Sequence, residues 1–235
     1  MIKLSYTKEA EKRMSKKEHF ARYILLIIGV FFVALGIALA KRSDLGISPV
    51  SSIANVFSIK FTFFTVGTWI IIWNCVMILA QIIILRKDFK PIQFLQFPIS
   101  LLLGVFTDFC VAILSFIPTD NYITKLSFIL LGVIVLAFGI TLMIISDTVM
   151  NVGEAFVDVV SKKLGKPFGS IKVVFDISCV LFSIILSLIF FNFKIVGTRE
   201  GTIITACFTG FVIKLFTRLL KEPTNQALKK IGNSK

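Results

Sequence analysis

Residues 34–44 read ALGIALAKRSD, and residues 137–147 read AFGITLMIISD. Six of these eleven positions are identical, and the two segments lie 103 positions apart. Two more matches follow at an offset of 102: GTWIIIWN at 67–74 with GSIKVVFD at 169–176, and GVFTDF at 104–109 with ACFTGF at 206–211. Collinear matches at nearly one spacing indicate that the chain consists of two related halves.

Long apolar runs dominate the composition. Of the 235 residues, 56% are hydrophobic and 25 are Phe, and the mean hydropathy is +0.91. An apolar helix of about 20 residues crosses a hydrocarbon core of roughly 30 Å. The runs predict six transmembrane helices, at residues 23–40, 66–85, 92–117, 123–145, 173–191 and 201–220. Because each half has three spans, the second half begins at the opposite face, and we expect an all-α membrane protein with a 3+3 inverted repeat.

The basic residues indicate the domain limits and the orientation. The formal net charge is +13, and many of the Lys and Arg residues lie in the two tails and in segments 86–90 and 146–172. Basic segments beside apolar spans remain in the cytoplasm, so both termini are expected there. This placement beside spans argues against nucleic-acid binding. The expected organisation is one membrane domain: a basic tail at 1–22, repeat halves at 23–118 and 119–221, and a basic tail at 222–235.

A short amphipathic segment lies between the first two spans of each half, at residues 48–58 and 151–163. Ser48 is a good N-cap with Pro49 after it, and Asn151 with Glu154 forms a capping-box pattern. At 1.5 Å per residue, neither helix is long enough to cross the bilayer. Two interpretations stay open: helices lying on the membrane surface, or re-entrant helices whose N-termini face a central site.

These segments resemble the YczE/YyaS/YitT family of bacterial integral membrane proteins, most closely its YczE-like branch. The resemblance covers residues 23–220 and rests on ALG at 34–36, DLGISP at 44–49, NVGEA at 151–155, and Gly201, Thr202 and Gly210. It implies a multi-pass protein of the bacterial cell membrane, and it supplies neither a substrate nor a reaction. In the family, the second short helix commonly begins with a Gly-Pro-x-Asp-like motif, and this chain has GEA at 153–155 instead. If this helix start binds a ligand, the ligand is expected to differ from that of other members.

Polar residues inside spans are the first candidates for function, because charges in a bilayer are rare. Asp108 is a candidate for proton or cation coupling, or else a carboxyl paired for helix packing. Asp176 and its repeat partner Asn74 point to a shared interior or to interhelical hydrogen bonds. Arg199 suits a carboxylate or phosphate, or else a loop ion pair with Glu200. The substrate-binding or coupling candidates are Asp108, Asp176, Asn74, Ser48, Ser51, Asn151, Glu154 and Arg199.

The sequence favours a secondary transporter or permease for a small polar solute, anionic or zwitterionic, because helix N-termini attract negative charge. The alternative is a regulatory or scaffolding membrane protein without transport activity. No nucleophile–base pattern, phosphate loop or zinc signature occurs, so we expect no enzyme, cofactor or metal. The expected partners are the lipid bilayer and a small solute, and the oligomeric state stays open.

Overall fold

A computed structural model describes residues 15–233, which contain eight α-helices and no β-strand. Short 3₁₀ turns, Arg86–Asp88 and Pro91–Leu95, connect the third helix to the fourth. The helices are α1 Lys16–Ser43, α2 Pro49–Lys60, α3 Val66–Leu85, α4 Gln96–Leu114, α5 Tyr122–Ser146, α6 Val152–Leu164, α7 Phe168–Phe190 and α8 Glu200–Asn233.

Six of these helices are long and apolar enough to cross a membrane, namely α1, α3, α4, α5, α7 and α8. The other two, α2 and α6, have 12 and 13 residues. The order long, short, long, long therefore occurs twice, which confirms the expected six-span fold. Both terminal spans are longer than the apolar runs, because α1 begins inside the expected first tail and α8 continues through residues 222–233. Leu228 is buried and Gly232 lies against Glu18, so this last part of α8 packs on the start of α1.

The most extensive helix contact joins α1 to α5, the first span of each half. Gly29 and Gly36 of α1 have Gly132 and Gly139 of α5 at the equivalent repeat positions. A Cβ on Gly36 would lie 2.6 Å from the backbone nitrogen of Leu136. Small residues at the crossing therefore let the two backbones approach closely.

A basic side chain from each of α1 and α5 contacts the C-terminal end of the other helix. Arg22 donates to the carbonyl oxygens of Ile145 and Ser146 at 3.4 and 3.3 Å, where α5 ends. Lys125 is the repeat equivalent of Arg22, and its Nζ lies 3.6 Å from Asp44 where α1 ends. Each helix thus places a cation at the negative C-terminal end of the other. This reciprocal arrangement requires α1 and α5 to be antiparallel.

Asp44 and Asp147 end the two helices in the left-handed conformation, with φ of 55° and 50°. Both residues therefore act as C-caps. Burial raises the pKa of the Asp147 carboxyl, although the positive charges of Arg22 and Lys221 act to lower it.

The remaining helix contacts also occur in equivalent pairs, one from each half. α1 packs on α4 as α5 packs on α8, and α2 packs on α7 as α6 packs on α3. Each short helix therefore lies against a span of the other half, which interlocks the repeats. We call the face at which α1 begins the proximal face and the face at which α1 ends the distal face.

Candidate functional site

The two short helices meet at their N-termini inside the bundle. A Cβ on Gly153 of α6 would lie 3.4 Å from Cγ1 of Val50 in α2. From this junction α2 runs to the distal face, where Lys60 donates to the carbonyl of Phe190. α6 runs to the proximal face, where Ser161 donates to the carbonyl of Lys166. End to end, the pair covers about 37 Å at 1.5 Å per residue.

This placement decides between the two interpretations of the short helices. Residues 51–56 of α2 are all buried, which is incompatible with a helix lying on a membrane surface. α6 keeps one charged outer face, on which Asp158 pairs with Lys162 at 2.5 Å. Both helices are too short to span the bundle, and both begin in its interior. They are therefore re-entrant.

Side chains cap the starts of the two short helices only in part. Ser48 donates from its hydroxyl to the hydroxyl of Ser51 at 3.0 Å and does not cap the helix backbone. Asn151 accepts from the backbone nitrogen of Val152 at 3.0 Å. The first N–H groups of a helix have no partner within the helix. Two N-termini at one place therefore concentrate partial positive charge and hydrogen-bond donors.

A charged cluster lies beside the start of α6. Lys172 of α7 donates to Asp176 at 2.7 Å and lies 3.8 Å from a carboxylate oxygen of Glu154. All three side chains are mostly buried, with exposed fractions of 26%, 18% and 19%. The predicted capping box of Asn151 and Glu154 is not formed, because the Glu154 carboxylate is drawn to Lys172 instead. A cluster of two carboxylates and one ammonium carries one net negative charge.

Three polar atoms on α3 and at the start of α6 are buried without a hydrogen-bond partner among the described residues: Trp73 Nε1, Asn74 Nδ2 and Glu154 Oε2. Trp73 packs with Met77 and Val152, which brings α3 against the start of α6. Burying an unpaired polar group costs on the order of 1–3 kcal/mol. Such groups are expected where a solute or water completes their hydrogen bonds.

Asp108 lies elsewhere, at the distal ends of α3 and α4. Its carboxylate accepts from the backbone nitrogen of Gly67 at 2.8 Å and from the hydroxyl of Thr65 at 2.5 Å. A Cβ on Gly67 would lie only 2.1 Å from the carbonyl oxygen of Gly104. The anionic side chain thus caps the N-terminus of α3 and holds the distal ends of α3 and α4 together. It acts as a clamp between these two helices and does not reach the junction.

The equivalent ends of α7 and α8 do not touch. The repeat counterparts of Gly67 and Asp108 are Gly169 and Gly210, and a Cβ at either would meet nothing within 4 Å. Along their whole length α7 and α8 make almost no contact. The bundle is therefore closed between α3 and α4 at the distal face and open between α7 and α8 towards the proximal face.

Arg199 is also remote from the junction. It is exposed, pairs with Glu200 at 3.2 Å, and donates to the carbonyl of Asp44 at 3.4 Å. The structure thus gathers Ser48, Ser51, Asn151 and Glu154 at the helix starts, with Asp176 joined through Lys172 and Asn74 on the adjoining helix α3.

Sequence reasoning missed Lys172 and Trp73. Lys172 was read as a basic residue that sets orientation, although its i, i+4 spacing to Asp176 signals an ion pair. Trp73 lies in an apolar run, where nothing in the local sequence separates a core ring from one whose N–H lacks a partner. Within residues 15–233, no group of three or more His, Cys, Asp and Glu side chains could hold a metal ion.

Six spanning helices in two interlocked halves, with two re-entrant helices meeting between them, define an integral membrane protein with an inverted repeat. The chain belongs to a family of unknown function, DUF6198, whose sequence profile matches residues 20–218. No curated protein and no solved structure matches it.

Proposed function

We propose that this protein is a secondary transporter or permease for a small polar solute, anionic or zwitterionic. The observation that carries the proposal is the meeting of the α2 and α6 N-termini inside an inverted repeat. In inverted-repeat transporters, broken helices direct their positive ends at the anionic group of the solute near the middle of the membrane.

The chemistry around the junction fits such a solute. The free N–H groups at the starts of α2 and α6 suit a carboxylate or another anionic group. On the α6 side, Glu154 and Asp176 offer two carboxylates against the single ammonium of Lys172, which suits a cationic group of a zwitterion or a coupling ion. Trp73, which packs against the start of α6, and its chain neighbour Asn74 supply unpaired donors on α3.

The unequal ends of the two halves suggest how the solute passes. In the present state α3 and α4 are closed at the distal face, while α7 and α8 stand apart towards the proximal face. If the halves exchanged these arrangements, access to the junction would move to the other face. Alternating access of this kind needs only that each half adopt both packings.

We also propose that the proximal face is cytoplasmic and that the protein lies in a bacterial cell membrane. Basic residues concentrate at the proximal face, in the start of α1, in the α3–α4 connection and at the end of α6. Such a bias favours the cytoplasmic side. Labelling single cysteines at positions 163 and 194 in intact cells with an impermeant maleimide tests this. Reaction at 163 without reaction at 194 would contradict it.

The test of transport is uptake by proteoliposomes containing the purified chain, across a panel of radiolabelled amino acids and small organic acids. Glu154→Gln keeps the side-chain shape and removes the charge at the junction. We expect it to lower uptake of the transported solute by about tenfold or more, since a charged hydrogen bond is worth roughly 1.5–3 kcal/mol.

Asp158→Asn is the matched control. Asp158 lies one turn further along α6 and has its own lysine partner, Lys162, on the exposed face. Its neutralisation should leave uptake within about twofold, since exposed ion pairs contribute little. Absence of uptake of every solute by folded protein, or equal losses in the two variants, would contradict the proposal.

A further inference from the structure

A polar cavity lies at the distal face, away from the α2–α6 junction. Its volume is about 340 Å³, which is within the usual range for small-ligand sites. The end of α1, the second half of α2, the start of α5 and three loops form its walls. The polar and charged side chains in its lining are Lys41, Arg42, Asp44, Asn55, Thr119 and Lys125.

The charge in this cavity is unbalanced. Three cations, Lys41, Arg42 and Lys125, line it with one carboxylate, that of Asp44. The nearby Arg199 is paired with Glu200. The negative charge of Asp108 acts on Lys41, but its oxygens are occupied by Thr65 and Gly67. Even with Asp108 included, the balance is positive.

Lys125 lies 3.6 Å from the Asp44 carboxylate, whereas Lys41 and Arg42 form no ion pair within the described part of the chain and retain unused donors. Lys41 donates to the Asn55 side-chain oxygen at 2.8 Å and to the Ser58 hydroxyl at 3.3 Å, both neutral acceptors. Arg42 donates to the backbone carbonyl of Ile117 through two of its nitrogens. An ammonium has three N–H groups and a guanidinium has five. Donors that no carboxylate neutralises therefore remain available to a ligand.

The cavity is held in shape by contacts between distant parts of the chain. The Asn55 amide bridges Lys41 to the α7–α8 loop, donating to the Gly197 carbonyl at 2.8 Å. Gly46 pairs with Thr198 through their backbones. Because these contacts fix the lysine and the loops around it, the site needs little rearrangement to receive a ligand.

We propose that the distal cavity binds a small oxyanion, namely a phosphate or a carboxylate group, through Lys41, Arg42 and Lys125. Several fixed cations around one concave site favour an anion and repel a cation. The phosphate can be a free ion or the headgroup of an anionic lipid. The inference concerns a site separate from the junction and does not depend on transport.

The experiment is calorimetric titration of the full chain with inorganic phosphate, in an uncharged detergent at low salt. The wild type is expected to bind phosphate. Lys125→Gln and Lys41→Gln should each weaken binding by about tenfold, as expected for loss of a charged hydrogen bond. Lys125→Arg keeps the charge and should retain most of the affinity. Lys60→Gln is the matched control, since Lys60 is a distal lysine of α2 outside the cavity.

A second measurement keeps the test valid if a variant loses stability. Phosphate should raise the Tm of the wild type and of Lys60→Gln, and should leave the Tm of the Lys41→Gln, Lys125→Gln double variant unchanged. Repeating the titration in nanodiscs separates the sources of phosphate. Weaker phosphate binding in phosphatidylglycerol than in phosphatidylcholine would assign the cavity to a lipid headgroup, and equal binding would assign it to a free anion.

Two results would overturn the inference. One is no detectable phosphate binding in detergent together with no effect of phosphatidylglycerol on the Tm. The other is equal phosphate binding by the wild type and the double variant. Because neither measurement uses flux, failure here leaves the transport proposal standing, and loss of transport does not affect this site.

Discussion

The helix pair α3–α4 of the first half and the pair α7–α8 of the second are repeat equivalents that adopt different packings. The two pairs are alike at the end where a short connection joins their helices. There Gln81 hydrogen-bonds to Gln96 at 3.0 Å, and at the equivalent positions Ser183 hydrogen-bonds to Thr198 at 2.9 Å. At the other end they differ, because α3 and α4 touch and α7 and α8 do not. The two copies therefore share a polar contact at one end and differ at the other end, where the first copy is closed and the second is open.

One residue accounts for much of the difference. Asp108 of α4 caps α3 at Gly67, whereas the equivalent position of α8 is Gly210 and has no side chain to donate or accept. The first half thus has an anionic clamp that the second half lacks. A clamp on one side only is expected to make the distal-closed state the resting one.

The largest effect is expected at the glycines of the fixed α1–α5 contact. In Gly36→Ala, the new Cβ would meet the Leu136 backbone at 2.6 Å, whereas in Gly169→Ala it would meet nothing within 4 Å. Overpacking against backbone costs about 1–3 kcal/mol or more. Thermal unfolding should therefore show a clear drop in Tm for Gly36→Ala and almost none for Gly169→Ala. Equal Tm values would show that α1 and α5 are not the rigid part of the bundle.

The next effect concerns closure of the open pair. If α7 and α8 close as α3 and α4 do, cysteines in place of Gly169 and Gly210 come within disulfide range, about 4.4–6.8 Å between Cα atoms. In a background without the native cysteines, oxidation should cross-link this pair and stop most of the uptake, and a reductant should restore it. The single-cysteine variants serve as controls. If the two cysteines do not cross-link under any condition that supports uptake, the proposal that α7 and α8 close as α3 and α4 do is wrong.

A smaller effect is expected from removing the clamp. Asp108→Ala deprives α3 of its anionic cap, which is worth roughly 1.5–3 kcal/mol as a charged hydrogen bond. The distal ends should separate more often, so Cys110 on the same part of α4, now 3% exposed, should react with a charged maleimide about tenfold faster.

The matched control for this variant is Asp120→Ala, since Asp120 is an exposed carboxylate in the α4–α5 loop. It should leave the Cys110 rate unchanged. An unchanged rate in Asp108→Ala would mean that Asp108 does not hold the distal ends together, and the two halves would then differ for another reason.

Much of the fold was accessible from the sequence. Lipid requires long apolar helices, so the spans appear as runs, and the limits of the short helices were predicted to within two residues. The sequence left their depth open, because the apolar face of a surface helix and of a buried helix have the same period. Val50 touching Gly153 is a contact across the repeat, and no local pattern encodes it.

The candidate site was predicted less completely. The helix starts and Glu154 were recognised from capping chemistry, but Lys172 comes from another helix and redirects Glu154 away from its cap. Asp108 was identified by its charge, and its role at the end of α3 follows only from packing. Transport, the resemblance to the YczE-like proteins and the orientation stay predictions.

The sequence by itself determined the number of spans, their duplication and the antiparallel relation of the halves, because an odd number of crossings reverses the second copy. Only the tertiary structure decided which equivalent ends touch. Gly67 and Gly169 occupy equivalent repeat positions, and their difference arises from what α4 and α8 bring near them. Packing between two distant segments depends on the side chains of both segments. A sequence repeat therefore does not determine whether the equivalent helices of each copy come into contact.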